Sequence, residues 1–183
     1  MFLDMKLLDI ENTVERATRN AAATGATFLT VHAQDAKDAA RGGGAARPAT
    51  SLKILGVTVL TNLDASDIQQ QGIGASPADL VARRARLARD AGCDGVVASG
   101  QEAGRVRAVV GPHMAIGRRA SGCRGDTAGD QARVATPQQA IAAGADYLVV
   151  GRPITAAERP ALAPAELFVR SIEAGTGEAD AEA

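Results

Sequence analysis

Apolar, β-branched stretches alternate with helical stretches along most of this 183-residue chain, and that alternation constrains the fold more than any single motif. Met1 to Met5 reads as a strand, followed by a helix over Val14 to Thr24 with Thr13 as N-cap and Gly25 at its end. Thr27 to His32 is a β-branched strand, then a short helix over Asp35 to Ala40 enters the loop Arg41 to Pro48. Lys53 to Leu60 is a nearly continuous apolar strand of the kind buried on both faces. A short helix over Asp64 to Gln70 comes next, and Ser76-Pro77 then opens a helix that reaches Asp90 before Gly92. The same pattern predicts a strand over Gly95 to Ser99, a helix over Glu102 to Val109 and a strand over His113 to Ile116. Gly117 to Asp130 is polar, glycine-rich and basic, and reads as a loop. A helix opening at Thr136-Pro137 and stopped by Gly144, a strand over Tyr147 to Val150 and a helix over Pro164 to Ala174 complete the series.

Six strands, each followed by a helical segment, imply parallel strands joined by right-handed crossovers. The fold class is α/β, a (β/α)8 TIM barrel that is incomplete here, with about six β/α units where a closed barrel takes about 250 residues. Residues 1–174 form a single partial-barrel domain, and the acidic tail 175–183 is expected to be disordered. Hydrophobic residues make up 46% of the chain but include no Trp, so the core must be built from aliphatic packing. A net charge of −1 gives no electrostatic case for nucleic acid or an anionic membrane. No apolar run approaches the roughly 20 residues of a spanning helix. Cys93 and Cys123 have no metal-ligand spacing and read as reduced thiols in a cytoplasmic protein.

The chemistry concentrates at the ends of strands. Asp4 and Lys6 project from the same side of the first strand because strand side chains alternate. Asp9 follows where the strand turns into a loop. Two carboxylates around one lysine keep its ammonium charged and aimed, and a charged lysine can deliver a proton to a carbanion. A solvated ion pair at a strand end is the plainer explanation of the same residues. His32, Thr61, Ser99 and Gly151-Arg152 lie at later strand ends, which converge on one face of a barrel. Each has an ordinary alternative: backbone bonding for His32, capping for Thr61, and a capping box with Glu102 for Ser99. A glycine and an arginine after the last strand suit phosphate.

Four segments together resemble the orotidine 5′-phosphate decarboxylase family. Phe-Leu-Asp-Met-Lys-Leu-Leu-Asp-Ile-Glu-Asn-Thr at residues 2–13 is similar to its third-strand signature, and Val57 to Thr61 resembles its fifth strand. Gly129 to Val134 with Thr136-Pro137 is similar to its phosphate-loop region, and Val149 to Thr155 to its last strand and loop. The resemblance implies that Lys6 protonates C6 of the pyrimidine after CO2 leaves, with Asp4 beside it to disfavour the substrate carboxylate. It implies a homodimer in which Asp9 and Thr13 reach the neighbouring site. Thr61 and Ser99 would line the nucleotide pocket, and Gln131, Gly151, Arg152 and Arg118 would hold the phosphate. The substrate would be orotidine 5′-monophosphate, and the product UMP of pyrimidine synthesis. Neither metal nor organic cofactor is implied.

The sequence departs from the family pattern in places. Leu8 and Glu11 stand where the family has His and then Gly or Pro, and Ile116-Gly-Arg-Arg119 replaces a Thr-Pro-Gly-Ile-Arg segment. Because the signature begins at residue 2, the family's first two strands, with a ribose-binding aspartate and a second lysine, have no counterpart in this sequence. An open barrel of this kind is expected to expose strand edges and to favour dimerisation or low stability. Two alternatives follow: a catalytically inactive remnant of the family, or a magnesium-dependent sugar-phosphate decarboxylase or aldolase of the same barrel group.

Overall fold

The computed structural model describes residues 1–35, 51–99, 102–119 and 137–151, together with Glu166 and Val169. Six strands, β1 (Phe2–Leu7), β2 (Phe28–His32), β3 (Lys53–Val57), β4 (Gly95–Ala98), β5 (Ala115–Arg119) and β6 (Tyr147–Val149), form one sheet. All pairs are parallel and the spatial order is the sequence order. A doubly wound sheet reverses order at a switch point, whereas this single direction of winding is that of a barrel wall.

The wall is curled. Phe28 on β2 meets Phe2 on β1 edge to face at 6.1 Å and Tyr147 on β6 at 5.1 Å. In a flat sheet β2 and β6 would lie about 19 Å apart, from a spacing of about 4.8 Å between neighbours. The ring contact therefore requires the sheet to bend towards closure.

Helices α1 (Glu11–Ala23), α2 (Ala65–Gln70), α3 (Pro77–Asp90), α4 (Ala103–Val110) and α5 (Pro137–Ala142) join the strands. Val14, Thr18 and Ala21 form the buried stripe of α1, at the spacing of one helix face. The core they join includes Leu29 and Val31 of β2, Ile54 of β3, Val96 of β4 and Ile116 of β5, all fully buried. Gly56 lets α3 approach β3 closely, since a Cβ at that position would lie 2.7 Å from the Cβ of Ala88. Among the described residues no helix is long and apolar enough to cross a membrane.

Local signals in the sequence account for several boundaries. Ser76 accepts from the Asp79 N–H at 3.2 Å with Pro77 in the first turn, as expected for the start of α3. Asp64 and Asp67 cap α2 reciprocally. Asp94 and Asp146, each just before a strand, accept from the first free N–H of the neighbouring strand, at Ile54 (2.8 Å) and Ile116 (2.7 Å). Arg107 ties the same end together, donating to Asp146, Gly144 and Met114.

Other boundaries differ from expectation. β1 runs on to Leu7, so Lys6 lies inside it. α1 begins after Ile10 and no side chain caps it, so Thr13 is an exposed residue of its first turn rather than its N-cap. β3 ends at Val57 rather than Leu60, and just beyond it both the N–H and the hydroxyl of Thr58 donate to the Val97 carbonyl. β4 and β6 are each one residue shorter than expected, and α4 starts one residue later, after Glu102. Gly117 to Arg119 belong to β5, since pairing with β4 on one side and β6 on the other overrides their loop-like composition. The helix expected over Asp35 to Ala40 (beyond Asp35 itself), the loop 41–48, residues 120–130 and the tail 175–183 lie outside the described residues. So does the last helix, apart from Glu166 and Val169, which are helical.

Candidate active site

Because all six strands run parallel, their C-terminal ends lie together at one end of the barrel wall. Lys6, His32, Ser99 and Gly151 stand at or just beyond those ends, and Thr61 follows β3 in the first turn.

The best-defined cluster joins β1 to β2. Lys6 Nζ donates to Asp4 Oδ2 at 2.5 Å. The other carboxylate oxygen, Oδ1, accepts from the Thr30 hydroxyl at 3.0 Å. That hydroxyl in turn accepts the main-chain N–H of Lys6 at 2.8 Å. The three residues meet because β1 is irregular here: Leu3 pairs with Leu29 and Leu7 with Val31, so four steps of β1 oppose two of β2. Lys6 adopts φ 50°, the left-handed region, and is the one non-glycine residue to do so among the described residues. A lysine there carries strain of about 1–3 kcal/mol, which persists only where surrounding contacts hold it and which clusters at functional sites. Both charged side chains remain partly open to solvent, at 34% for Lys6 and 42% for Asp4.

Asp9 is exposed, and its carboxylate accepts from the neighbouring Ile10 N–H at 2.6 Å. The recorded bonds therefore unite Asp4 and Lys6 and leave Asp9 outside that cluster. Thr61 is buried, and its Oγ1 has no hydrogen-bond partner among the described residues. A buried hydroxyl without a partner is costly unless a ligand or water supplies one. Ser99 is fully buried and donates to the buried Glu102 carboxylate, while Glu102 rather than Ser99 holds the N-cap position of α4, without a side-chain cap bond. Arg118 pairs through its backbone with Ala98 on one side and Leu148 on the other, which sets it beside the end of β4. Gly151 lies two residues beyond the end of β6, and no atom of the described residues stands within 4 Å of where its Cβ would be. Gln131 and Arg152 lie outside the described residues.

The cluster also includes residues that sequence reasoning passed over. Thr30 read simply as a β-former; its place two residues before His32, on the same face as that strand-end residue, was the available signal. Arg84 of α3 is buried, and its guanidinium donates to the Thr58 carbonyl at 2.8 Å. His32 is half-buried, and its Nδ1 has no partner among the described residues, so that atom does not make the backbone bond considered for it. Burial lowers the His32 pKa below its ordinary value, and the positive charges of Arg84 and then Lys6 lower it further. Among the described residues, no group of three or more His, Cys, Asp or Glu side chains is arranged to hold a metal ion.

Residues 1–167 match the model of a family described as Orotidine 5′-phosphate decarboxylase / HUMPS family. An orotidine 5′-phosphate decarboxylase of Methylobacterium sp. (strain 4-46) is 48% identical over 175 residues, spanning 95% of this chain and 74% of that one. One from Methylorubrum extorquens is 53% identical over 161 residues, spanning 87% of this chain and 67% of its own length. The crystal structure of orotidine 5′-phosphate decarboxylase from Lactobacillus acidophilus superposes with a TM-score of 0.77 at 31% identity, covering 93% of this chain and 74% of that chain.

Proposed function

The chain belongs to the orotidine 5′-phosphate decarboxylase family, and from that membership we propose that it converts orotidine 5′-monophosphate to UMP and CO2, with Lys6 as the proton donor. The observation that carries the assignment of roles is the bonded set of Lys6, Asp4 and Thr30 at the end of β1.

The substrate carboxylate enters beside Asp4, whose negative charge disfavours it in the ground state. Cleavage of the bond between C6 and the carboxyl carbon releases CO2 and leaves the electron pair on C6. The Lys6 ammonium then gives its proton to that carbon, and solvent restores the proton to the amine. Interactions that favour the developing carbanion over the bound carboxylate are the ones that raise the rate. Thr61 and Ser99 line the nucleotide pocket, where the unpartnered Thr61 hydroxyl is suited to a ligand bond. Gln131, Gly151, Arg152 and Arg118 take the phosphate. This binding, remote from the reacting carbon, orients the pyrimidine ring.

The working unit is a homodimer in the cytoplasm, with Asp9 and Thr13 of one subunit completing the other's site. Exposed apolar side chains around Asp9 support this reading: Met5 is 58% exposed, Leu8 49% and Ile10 78%. Mixing Lys6→Ala and Asp9→Ala proteins, each inactive alone, should restore part of the activity by forming one intact site per mixed dimer.

The direct test follows UMP formation from orotidine 5′-monophosphate without added metal, with Lys6→Ala in parallel. Turnover no greater than that of the variant would remove the decarboxylase assignment, and turnover only with Mg2+ on a sugar phosphate would replace it.

A further inference from the structure

We infer that Thr30 is a positioning residue that holds both Asp4 and Lys6 in their working geometry, an inference that rests on the decarboxylase reading of that pair. Thr30 is 1% exposed in the middle of β2. At such a place a valine would pack as well, since both are β-branched and favoured in strands. A hydroxyl sealed from solvent is retained without cost only if it is bonded. Here it is bonded twice, and to the two charged residues of the β1 cluster.

The direction of each bond is fixed. The hydroxyl has one proton, which goes to Asp4 Oδ1, so its lone pair receives the Lys6 N–H. With Oδ1 held by Thr30 and Oδ2 by Lys6 Nζ, the Asp4 carboxylate has its plane set at both oxygens. The bond to the Lys6 N–H acts on the backbone where φ is 50°, and so secures a conformation a lysine does not adopt unaided. One side chain on β2 thus sets the carboxylate of one residue and the main chain of the other.

The test compares Thr30→Val, which keeps the shape and removes the hydroxyl, with Thr30→Ser, which keeps the hydroxyl. Removing the hydroxyl should lower kcat about 100-fold, the scale of an ångström displacement of a reacting group. KM should stay within about threefold, since the bonds lost are not substrate contacts. Serine should retain kcat within about threefold of the parent, the outcome a purely steric role would not give. Hydrogen exchange at the Lys6 amide supplies a readout independent of turnover: faster in Thr30→Val, unchanged in Thr30→Ser. Thermal melts accompany each protein, with Thr30→Ala replacing valine should that variant not fold.

A parental kcat in Thr30→Val, or equal losses in valine and serine, would overturn the inference. If the parent itself does not turn over orotidine 5′-monophosphate, the decarboxylase reading fails alone. The exchange comparison then still decides whether Thr30 holds Lys6, with equal exchange in all three proteins counting against it.

Discussion

The Arg84 guanidinium donates to the Thr58 main-chain carbonyl at 2.8 Å, joining the middle of α3 to the chain that leaves β3. Burial is the main reason its pKa is lowered, with repulsion from Arg83 second. The same charge depresses His32 from nearby. Arg84→Met, which keeps much of the aliphatic bulk, takes this donor from the Thr58 carbonyl at a cost of about 1–3 kcal/mol. It should also move the His32 titration upward. Urea denaturation reads the first effect and NMR titration of the imidazole the second; an unmoved His32 would mean that Arg84 does not act on it.

His32 makes stability depend on acidity in a definite direction. Its pKa in the folded protein lies below the ordinary value of 6.5, so between the two values the unfolded chain binds more protons than the folded one. Folding is then fully supported above about pH 6.5, weakens as the pH falls through the window, and levels off below the folded-state value. Melts from pH 8 to pH 5 should show this loss, and His32→Gln should flatten it without changing the plateau near neutrality.

Lys6 trades backbone comfort for position. At φ 50° glycine is the residue that sits without strain, whereas alanine keeps the Cβ penalty. Lys6→Gly should therefore be more stable than Lys6→Ala by about 1 kcal/mol, while both lose decarboxylation. Paired denaturant titrations measure the difference, and an alanine variant as stable as glycine would show that the left-handed conformation is not kept without the lysine.

Gly56→Ala tests the contact between β3 and α3. The added Cβ would stand 2.7 Å from the Ala88 Cβ and 3.3 Å from the Ala33 Cβ, and neither of these atoms can rotate away. Overpacking of this kind costs about 1–3 kcal/mol. Ala88→Gly in the same background should return part of the loss, a coupling that a double-mutant cycle would register.

Much of this architecture is legible in the sequence because its signals are local. Ser76-Pro77 marks the start of α3 by capping chemistry contained within one turn, and Gly25, Gly92 and Gly144 end helical segments at positive φ. The end of β5 is not legible that way. Gly117 to Arg119 are strand only because β4 and β6 flank them, and no neighbouring residue announces that pairing. In the site, strand alternation suggests that Asp4 and Lys6 lie together, and their side chains do bond, although β1 is irregular between them. The bulge that brings Thr30 between them depends on register with β2, which a linear reading does not contain. Asp9 shows the opposite limit: its spacing suggests one array with Asp4 and Lys6, yet its carboxylate bonds locally, to the Ile10 N–H.

Phe28 touches rings on both β1 and β6, so a single aromatic side chain gauges how far the wall has bent. If the sheet flattened, Tyr147 would leave Phe28 while every ladder between adjacent strands could stay intact. Closure and strand pairing are separable coordinates in this molecule. The ring-current shift of Phe28 reports the first and amide protection the second, so a change that moved β6 away from β2 would shift the ring signal while leaving the ladders silent.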